Sequence, residues 1–161
     1  MSRIWHVGFA APDLDQAMSQ LGGLFELTWR PIVTRSMTIK DEGGHPFNVD
    51  CHVTFSLGGP FAVEVWQAIP GTPLATPPTG WLHHLGYWVE DYPAERQRLN
   101  TLGFVPVLTS EPTLLLSRGP GNIRVEPCDL RRDQPYLRDL YPPGSDFFGE
   151  PVFPAHAEEP S

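Results

Sequence analysis

His6-Val7-Gly8-Phe9 recurs, with two changes, as His84-Leu85-Gly86-Tyr87. Each copy stands in a run of apolar residues that predicts a strand. An aspartate follows each histidine at the same sequence spacing: Asp13 in the first half of the chain and Asp91 in the second. An aspartate side chain can accept hydrogen bonds from the free N–H groups of a first helical turn, so both positions predict the start of a helix.

Three strand-like stretches follow the helix in each half. Gly22-Gly23 predicts the end of the first helix, because glycine adopts the left-handed conformation at little cost. The last strand of each half carries a Val-Glu pair, Val63-Glu64 in the first and Val125-Glu126 in the second. A repeat in the order strand, helix and three strands predicts an α+β fold made of two βαβββ modules in tandem.

The same pattern sets the expected domain organisation. Module one spans residues 1–66, and module two spans residues 81–128. The connector 67–80 holds four prolines, which exclude a helix or a central strand there. We expect residues 1–128 to form a single domain, and the Pro-rich segment 129–161 to be a tail that packs on the body and frays at its end.

Composition excludes several classes of partner. Eleven Lys and Arg against nineteen Asp and Glu give a net charge of −8, which argues against binding nucleic acid or an anionic membrane surface. No apolar run is long enough to span a bilayer, and the first residues lack the apolar core of a signal peptide. Cys51 and Cys128 are therefore expected to stay reduced in a cytoplasmic protein.

The repeat singles out one histidine and one glutamate in each half. A lone histidine or glutamate on a strand is ordinary, but here the pair recurs at equivalent positions, as His6 with Glu64 and as His84 with Glu126. Packing of the halves around a pseudo-twofold axis would bring the four side chains together. Two imidazoles and two carboxylates suit a divalent ion (Co, Ni, Mn, Zn or Fe) that keeps positions open for water or substrate.

A further candidate lies on the predicted strand 49–57. Its apolar residues alternate with polar ones, which places His52 on a polar face together with Asp50, Thr54 and Ser56. Two interpretations stay open. His52 is a proton-transfer base or a substrate contact if the polar face lines the site, and an ordinary surface residue if that face meets solvent.

The chain resembles the vicinal oxygen chelate superfamily, which includes glyoxalases, methylmalonyl-CoA epimerases, extradiol dioxygenases and bleomycin- or fosfomycin-resistance proteins. The resemblance covers about residues 3–128. The stretches that carry it are residues 6–13, 62–65, 82–91 and 123–127. It implies curved mixed sheets around a central metal-binding cavity. Carried over by position, the ligands of the metal are His6, Glu64, His84 and Glu126.

Leu82-His83-His84 is most similar to the methylmalonyl-CoA epimerase branch of this superfamily. The resemblance implies a metal-dependent isomerase, epimerase or lyase that chelates a small carbonyl substrate and stabilises its enolate. Glu126, Glu64 or His52 would then transfer the proton. Strand alternation predicts that His83 points away from the face of His84, where it packs or makes a supporting hydrogen bond.

Two other functions stay open on the same fold. A dioxygenase of the Fe(II) extradiol type needs two histidines, one carboxylate and three free positions on the metal, so Glu64 counts against it. A drug- or metabolite-binding resistance protein without catalysis does not need all four ligands. The oligomeric state is open between monomer and homodimer, because such modules can pair within one chain or exchange between two.

Overall fold

The elements of the computed structural model follow the order that the internal repeat predicts, except that a two-residue strand is added after the first helix. The structure describes residues 3–57, 61–110 and 114–129. Module one contains β1 (Arg3–Ala11), α1 (Leu14–Phe25), β2 (Thr28–Trp29), β3 (Val33–Asp41), β4 (Pro46–Leu57) and β5 (Ala62–Gln67). Module two contains β6 (Leu82–Val89), α2 (Tyr92–Thr101), β7 (Val105–Ser110), β8 (Leu114–Arg118) and β9 (Arg124–Asp129). The α+β prediction is confirmed, and the proposed tail beyond Asp129 lies outside the described residues.

Both helices begin where the two aspartates predict. Asp13 accepts a hydrogen bond from the Gln16 N–H at 2.8 Å, and Asp91 accepts one from the Ala94 N–H at 2.9 Å. The predicted end of α1 at Gly22-Gly23 is wrong. The helix continues to Phe25 and ends at Glu26, which takes the left-handed conformation itself (φ 56°) and donates its N–H to the Gly22 carbonyl.

The strands close into a barrel in which the two modules mirror one another. In module one, β1 pairs in parallel with β5, which leads through β4 to β3; in module two, β6 pairs in parallel with β9, which leads through β8 to β7. Antiparallel pairing of β1 with β6 joins the modules at one junction. Antiparallel pairing of β3 with β7 joins them at the other and closes the ring of eight strands. The short β2 pairs with the end of β4.

Apolar side chains fill the barrel and a second layer under α1. The barrel core includes Trp5, Trp66, Trp88 and Phe55, all of them buried. On the outer side of β5, the buried face of α1 packs against the strand through a separate apolar cluster. The barrel thus holds its aromatic core on the same side of the sheet as the residues of the candidate site.

Among the described residues, neither α-helix has the length and apolar character that crossing a membrane requires.

Candidate metal centre

Four side chains from four strands converge inside the barrel. His6 lies on β1, Glu64 on β5, His84 on β6 and Glu126 on β9. One ligand atom of each lies within 4.8 Å of one ligand atom of every other. The Nε2 atoms of His6 and His84 are 2.8 Å apart. The structure thus brings together all four residues that the repeat and the family resemblance single out.

The pairing of β1 with β6 explains this convergence. His6 lies opposite Gly86, and His84 lies opposite Gly8, so that each imidazole crosses the glycine of the other module. The parallel strand pairs show the same symmetry between the modules: Gly8 of β1 is the partner of Glu64 on β5, and Gly86 of β6 is the partner of Glu126 on β9. Each glycine is thereby flanked by one histidine and one glutamate.

Only glycine fits at these two crossing points. A Cβ atom built on Gly8 would lie 1.9 Å from Cε1 of His84, and one built on Gly86 would lie 1.9 Å from Cε1 of His6. Contacts this short are excluded by ordinary van der Waals radii. No role was predicted for either glycine from the sequence. The signal that could have identified both is the His-x-Gly spacing shared by the two halves.

The imidazoles of the cluster are more deeply buried than its carboxylates. His6 is 1% exposed, His84 2% and Glu64 7%. Burial by itself lowers the pKa of His84, but the adjacent carboxylates of Glu126 and Glu64 outweigh this effect and raise the pKa to about 9. Burial alone would raise the pKa of Glu126, but its hydrogen bonds with His6 and His84 outweigh burial and lower the pKa. Without a metal, the charged forms of His84 and Glu126 are therefore both favoured in the cluster.

The donor set fits a divalent cation. Glu126 Oε2 lies 3.1 Å from His6 Nε2 and 3.0 Å from His84 Nε2. Glu64 Oε2 lies 3.7 Å from His6 Nε2 and 3.3 Å from His84 Nε2. Ligands about 2.1 Å from one ion are about 3.0 Å apart at right angles and about 3.4 Å apart at a tetrahedral angle. Glu64 Oε2 is moreover buried without a hydrogen-bond donor among the described residues, as expected of an atom suited to a cation.

His83 faces the site rather than the opposite side of the sheet, which corrects the expectation from strand alternation. The register between β1 and β6 shifts between Gly8, paired with His84, and Phe9, paired with Leu82. His83 is the extra residue of this bulge, and a bulge lets two consecutive side chains point to one side. The ring is buried, and its Nδ1 lies 3.2 Å from Nδ1 of His84. The supporting contact that was expected of His83 is therefore present.

His52 does not join the cluster. Phe55 is the cross-strand partner of Glu64, so β4 turns its odd-numbered residues toward the site and His52 to the other side of the sheet. There its Nδ1 is 2.8 Å from the Thr34 hydroxyl, in an exposed pair. Phe55, on the apolar face of β4, instead approaches the His6 ring, with ring centroids 6.2 Å apart. His52 and the polar face of the strand therefore point away from the cluster.

Aromatic rings surround the imidazoles. Trp5 lies edge-on to His6 with ring centroids 4.2 Å apart, and Trp66 stacks on His84 at 5.1 Å. Trp5 also stacks on Trp88 at 4.6 Å. Such walls exclude water and strengthen electrostatic interactions within the site.

A comparison with protein-family models matches residues 5–114 to the Glyoxalase/Bleomycin resistance protein/Dioxygenase superfamily. A comparison with curated proteins gives no match. Among solved structures, hypothetical protein BH1468 from Bacillus halodurans C-125 is similar at 15% identity and a TM-score of 0.54, over 80% of this chain and 94% of that one. Methylmalonyl-CoA epimerase from Mycobacterium tuberculosis is similar at 15% identity and a TM-score of 0.53, over 78% of this chain and 86% of that one.

A mutant of 4-hydroxymandelate synthase from Streptomyces coelicolor is also similar, at 20% identity and a TM-score of 0.54. The match covers 88% of this chain and 38% of that longer one. At such identities the structural comparisons establish a shared fold, whereas the family model covers more than half of the sequence. The chain belongs to the Glyoxalase/Bleomycin resistance protein/Dioxygenase superfamily.

Proposed function

We propose that this protein is a metal-dependent isomerase or epimerase, or a related lyase, acting on a small carbonyl compound. The observation that carries the proposal is the buried convergence of His6, Glu64, His84 and Glu126 at the junction of the two modules. When bound there, a divalent ion would supply Lewis-acid stabilisation of the enolate charge that develops on a substrate oxygen. The identity of the ion stays open among Co, Ni, Mn, Zn and Fe.

His6, His84 and Glu126 form the tighter part of this proposed ligand set. Their three contacts, at 2.8, 3.0 and 3.1 Å, place the two imidazoles and one carboxylate oxygen at mutual distances suited to adjacent positions on one ion. The two histidines would bind through Nε2, the atom that each ring aims at the centre. Loss of any of these three is expected to remove the ion.

Glu64 is the better placed of the two carboxylates for proton transfer. Its oxygen is farther from both imidazoles, and it lacks a hydrogen bond that would hold it. A carboxylate that leaves the ion can take a proton from the carbon next to a substrate carbonyl and return it. Glu126, bonded by both histidines, is the alternative base, and His52 is not proposed for this role.

The surroundings favour chemistry sheltered from water. Trp5, Trp66 and Phe55 contact or approach the imidazoles, Trp88 stacks on Trp5, and all four are buried. Charge that develops in such a site is stabilised more strongly by nearby groups than it is in water. A small substrate with an apolar part suits these walls. Cys51 and Cys128 are buried and form no disulfide, and we expect both thiols to stay reduced in a cytoplasmic environment.

A second candidate function follows from the looser contacts of Glu64. If Glu64 stays off the ion, His6, His84 and Glu126 form a set of two histidines and one carboxylate, which is typical of Fe(II) oxygenases. Oxygen consumption with a catechol by the iron-loaded protein would favour a dioxygenase. Tight binding of carbonyl compounds or drugs without turnover would favour a resistance protein that only sequesters its ligand.

The test is solvent exchange in D₂O by the metal-loaded protein, over a panel of 2-oxo and thioester compounds. We expect deuterium at the carbon next to the carbonyl. Glu64→Gln should bind metal and lose exchange by about 10²-fold or more, as expected for removal of a general base. Glu126→Gln should lose metal as well. Exchange that persists in Glu64→Gln would reassign the base, and no exchange on any compound would contradict the isomerase proposal.

A further inference from the structure

We propose that His83 is a positioning residue for His84: it holds the proton of the His84 ring on Nδ1 and so leaves Nε2 free to bind the metal. This inference rests on the proposed metal site and deepens it. It also predicts that Arg124, which touches the other side of the His83 ring, opposes metal binding. The basis is a line of polar contacts that runs outward from the cluster.

Three contacts define this line. The rings of His83 and His84 are nearly perpendicular, at 85°, and their Nδ1 atoms are 3.2 Å apart. On its far side, His83 Nε2 lies 3.2 Å from the Pro73 carbonyl oxygen. The same Nε2 atom lies 2.9 Å from Nη1 of Arg124. One ring nitrogen thus meets both an acceptor and a donor.

Proton counting shows which contacts are compatible with a bound metal. A neutral histidine that binds metal through Nε2 carries its proton on Nδ1. His84 must then donate at Nδ1, and His83 must accept there with its own Nδ1 unprotonated. The proton of a neutral His83 consequently sits on Nε2, where it is donated to the Pro73 carbonyl.

The contact with Arg124 requires the opposite arrangement. A guanidinium can only donate, so it bonds to His83 Nε2 only when that nitrogen has no proton. His83 then carries its proton on Nδ1, and His84 Nδ1 must be unprotonated to accept it. This state is incompatible with a neutral His84 bound to metal through Nε2. The Pro73 contact therefore supports metal binding, and the Arg124 contact competes with it.

Module one provides an internal comparison. Trp5 precedes His6 as His83 precedes His84, and a register shift between Ile4 and His6 turns Trp5 inward in the same way. Trp5 packs edge-on against the His6 ring. Nδ1 of His6 is buried and has no hydrogen-bond partner among the described residues. Among the described residues, Nδ1 of His84 in module two thus has a polar contact, whereas Nδ1 of His6 in module one has none.

The experiment is calorimetric titration of the metal-free full-length chain with Co²⁺, for the parent and four variants. His83→Phe keeps a ring and loses the acceptor, and we expect Co²⁺ affinity to fall by about 10- to 100-fold. His83→Asn places an amide oxygen near the position of Nδ1, and it should recover most of that loss. His45→Gln alters an exposed histidine that pairs with Asp41 between β3 and β4, away from the cluster; it is the control and should bind like the parent. Arg124→Met should bind Co²⁺ at least as tightly as the parent.

Each result bears on the inference separately. Parent-like affinity of His83→Phe, or failure of His83→Asn to recover affinity, would overturn the role of His83 while leaving the metal site standing. Weaker binding by Arg124→Met would overturn the proton assignment. A parent protein that binds no Co²⁺ would overturn this inference together with the proposed metal site. Urea unfolding of each metal-free variant checks folding, with His83→Met as the replacement if His83→Phe does not fold.

A spectroscopic measurement separates positioning from simple packing. In the Co²⁺-loaded parent, the Nδ1 proton of His84 should give a paramagnetically shifted signal that exchanges slowly with solvent, because His83 accepts it. That signal should broaden or vanish in His83→Phe and return in His83→Asn. A signal unchanged in His83→Phe would show that the His84 proton does not need His83.

Discussion

The substitution Gly8→Ala should weaken metal binding severely although it removes no ligand. The new Cβ would lie 1.9 Å from Cε1, 2.3 Å from Nδ1 and 2.6 Å from Nε2 of His84. Carbon atoms in contact are about 3.5 Å apart, so the ring must move by about 1.6 Å. Ligand distances at metal sites hold to within about 0.2 Å, which makes this displacement far too large for coordination.

The ring of His84 has no free space to absorb the displacement. Trp66 stacks on it at 5.1 Å, and the ring of His6 lies across it at 4.9 Å. We therefore expect Gly8→Ala to weaken Co²⁺ binding by more than about 100-fold, beyond the loss that a supporting residue causes. Overpacking of a core costs about 1–3 kcal/mol, which a domain of ordinary stability tolerates, so the variant should fold.

The assay is equilibrium dialysis against Co²⁺ with metal analysis, alongside urea unfolding of the metal-free protein. Gly86→Ala is the mirror variant, with its Cβ 1.9 Å from Cε1 of His6, and should behave alike. Gly23→Ala is the control, because Gly23 lies in α1 with no atom within 4 Å of a new Cβ. It should bind Co²⁺ normally and be more stable by about 0.5–1 kcal/mol. Co²⁺ affinity of Gly8→Ala within a few-fold of the parent would refute the reasoning.

Three further predictions concern groups around the site and on the outer surface. In metal-free protein, the pKa of His84 is raised from 6.5 to about 9, so its stabilising effect is complete below about pH 6.5 and is lost as the pH rises through 9. The free energy of unfolding should fall across that interval, and a flat profile would contradict the raised pKa of His84. Tyr87→Phe removes a hydrogen bond to Glu95, a carboxylate that Arg98 also holds at 2.7 and 2.6 Å. We expect a loss of about 1–2 kcal/mol of stability by urea unfolding and unchanged Co²⁺ affinity; altered affinity would link α2 to the site. His52→Gln should change stability by less than about 0.5 kcal/mol and leave Co²⁺ binding and solvent exchange unchanged. Loss of Co²⁺ binding or of solvent exchange would show that His52 reaches the site.

The internal repeat made most of the architecture predictable. Equivalent positions in the two halves must occupy equivalent places once the modules pair symmetrically. That is why His6 and His84, with Glu64 and Glu126, could be selected from sequence and are found together. The helix starts at Asp13 and Asp91 were predictable because capping depends on local hydrogen bonds.

The direction of individual side chains was harder to predict, because it depends on contacts between distant strands. The bulge that turns His83 inward arises from the register of β1 against β6, which neither strand specifies alone. For His52, alternation correctly separated two faces of β4, but it could not tell which face lines a site whose walls are themselves apolar. The end of α1 differed because Glu26 accepts the left-handed conformation that Gly22-Gly23 was expected to supply.

The central claim is that His6, Glu64, His84 and Glu126 hold one divalent cation. An anomalous-difference map recorded at the cobalt absorption edge, from crystals of the Co²⁺-loaded chain, tests it most directly. We predict one strong peak per chain, about 2.1 Å from Nε2 of both histidines and from a carboxylate oxygen of Glu126. Crystals of His84→Ala prepared in the same way should lack the peak. A cobalt peak elsewhere on the chain, or one that survives in His84→Ala, would contradict the account.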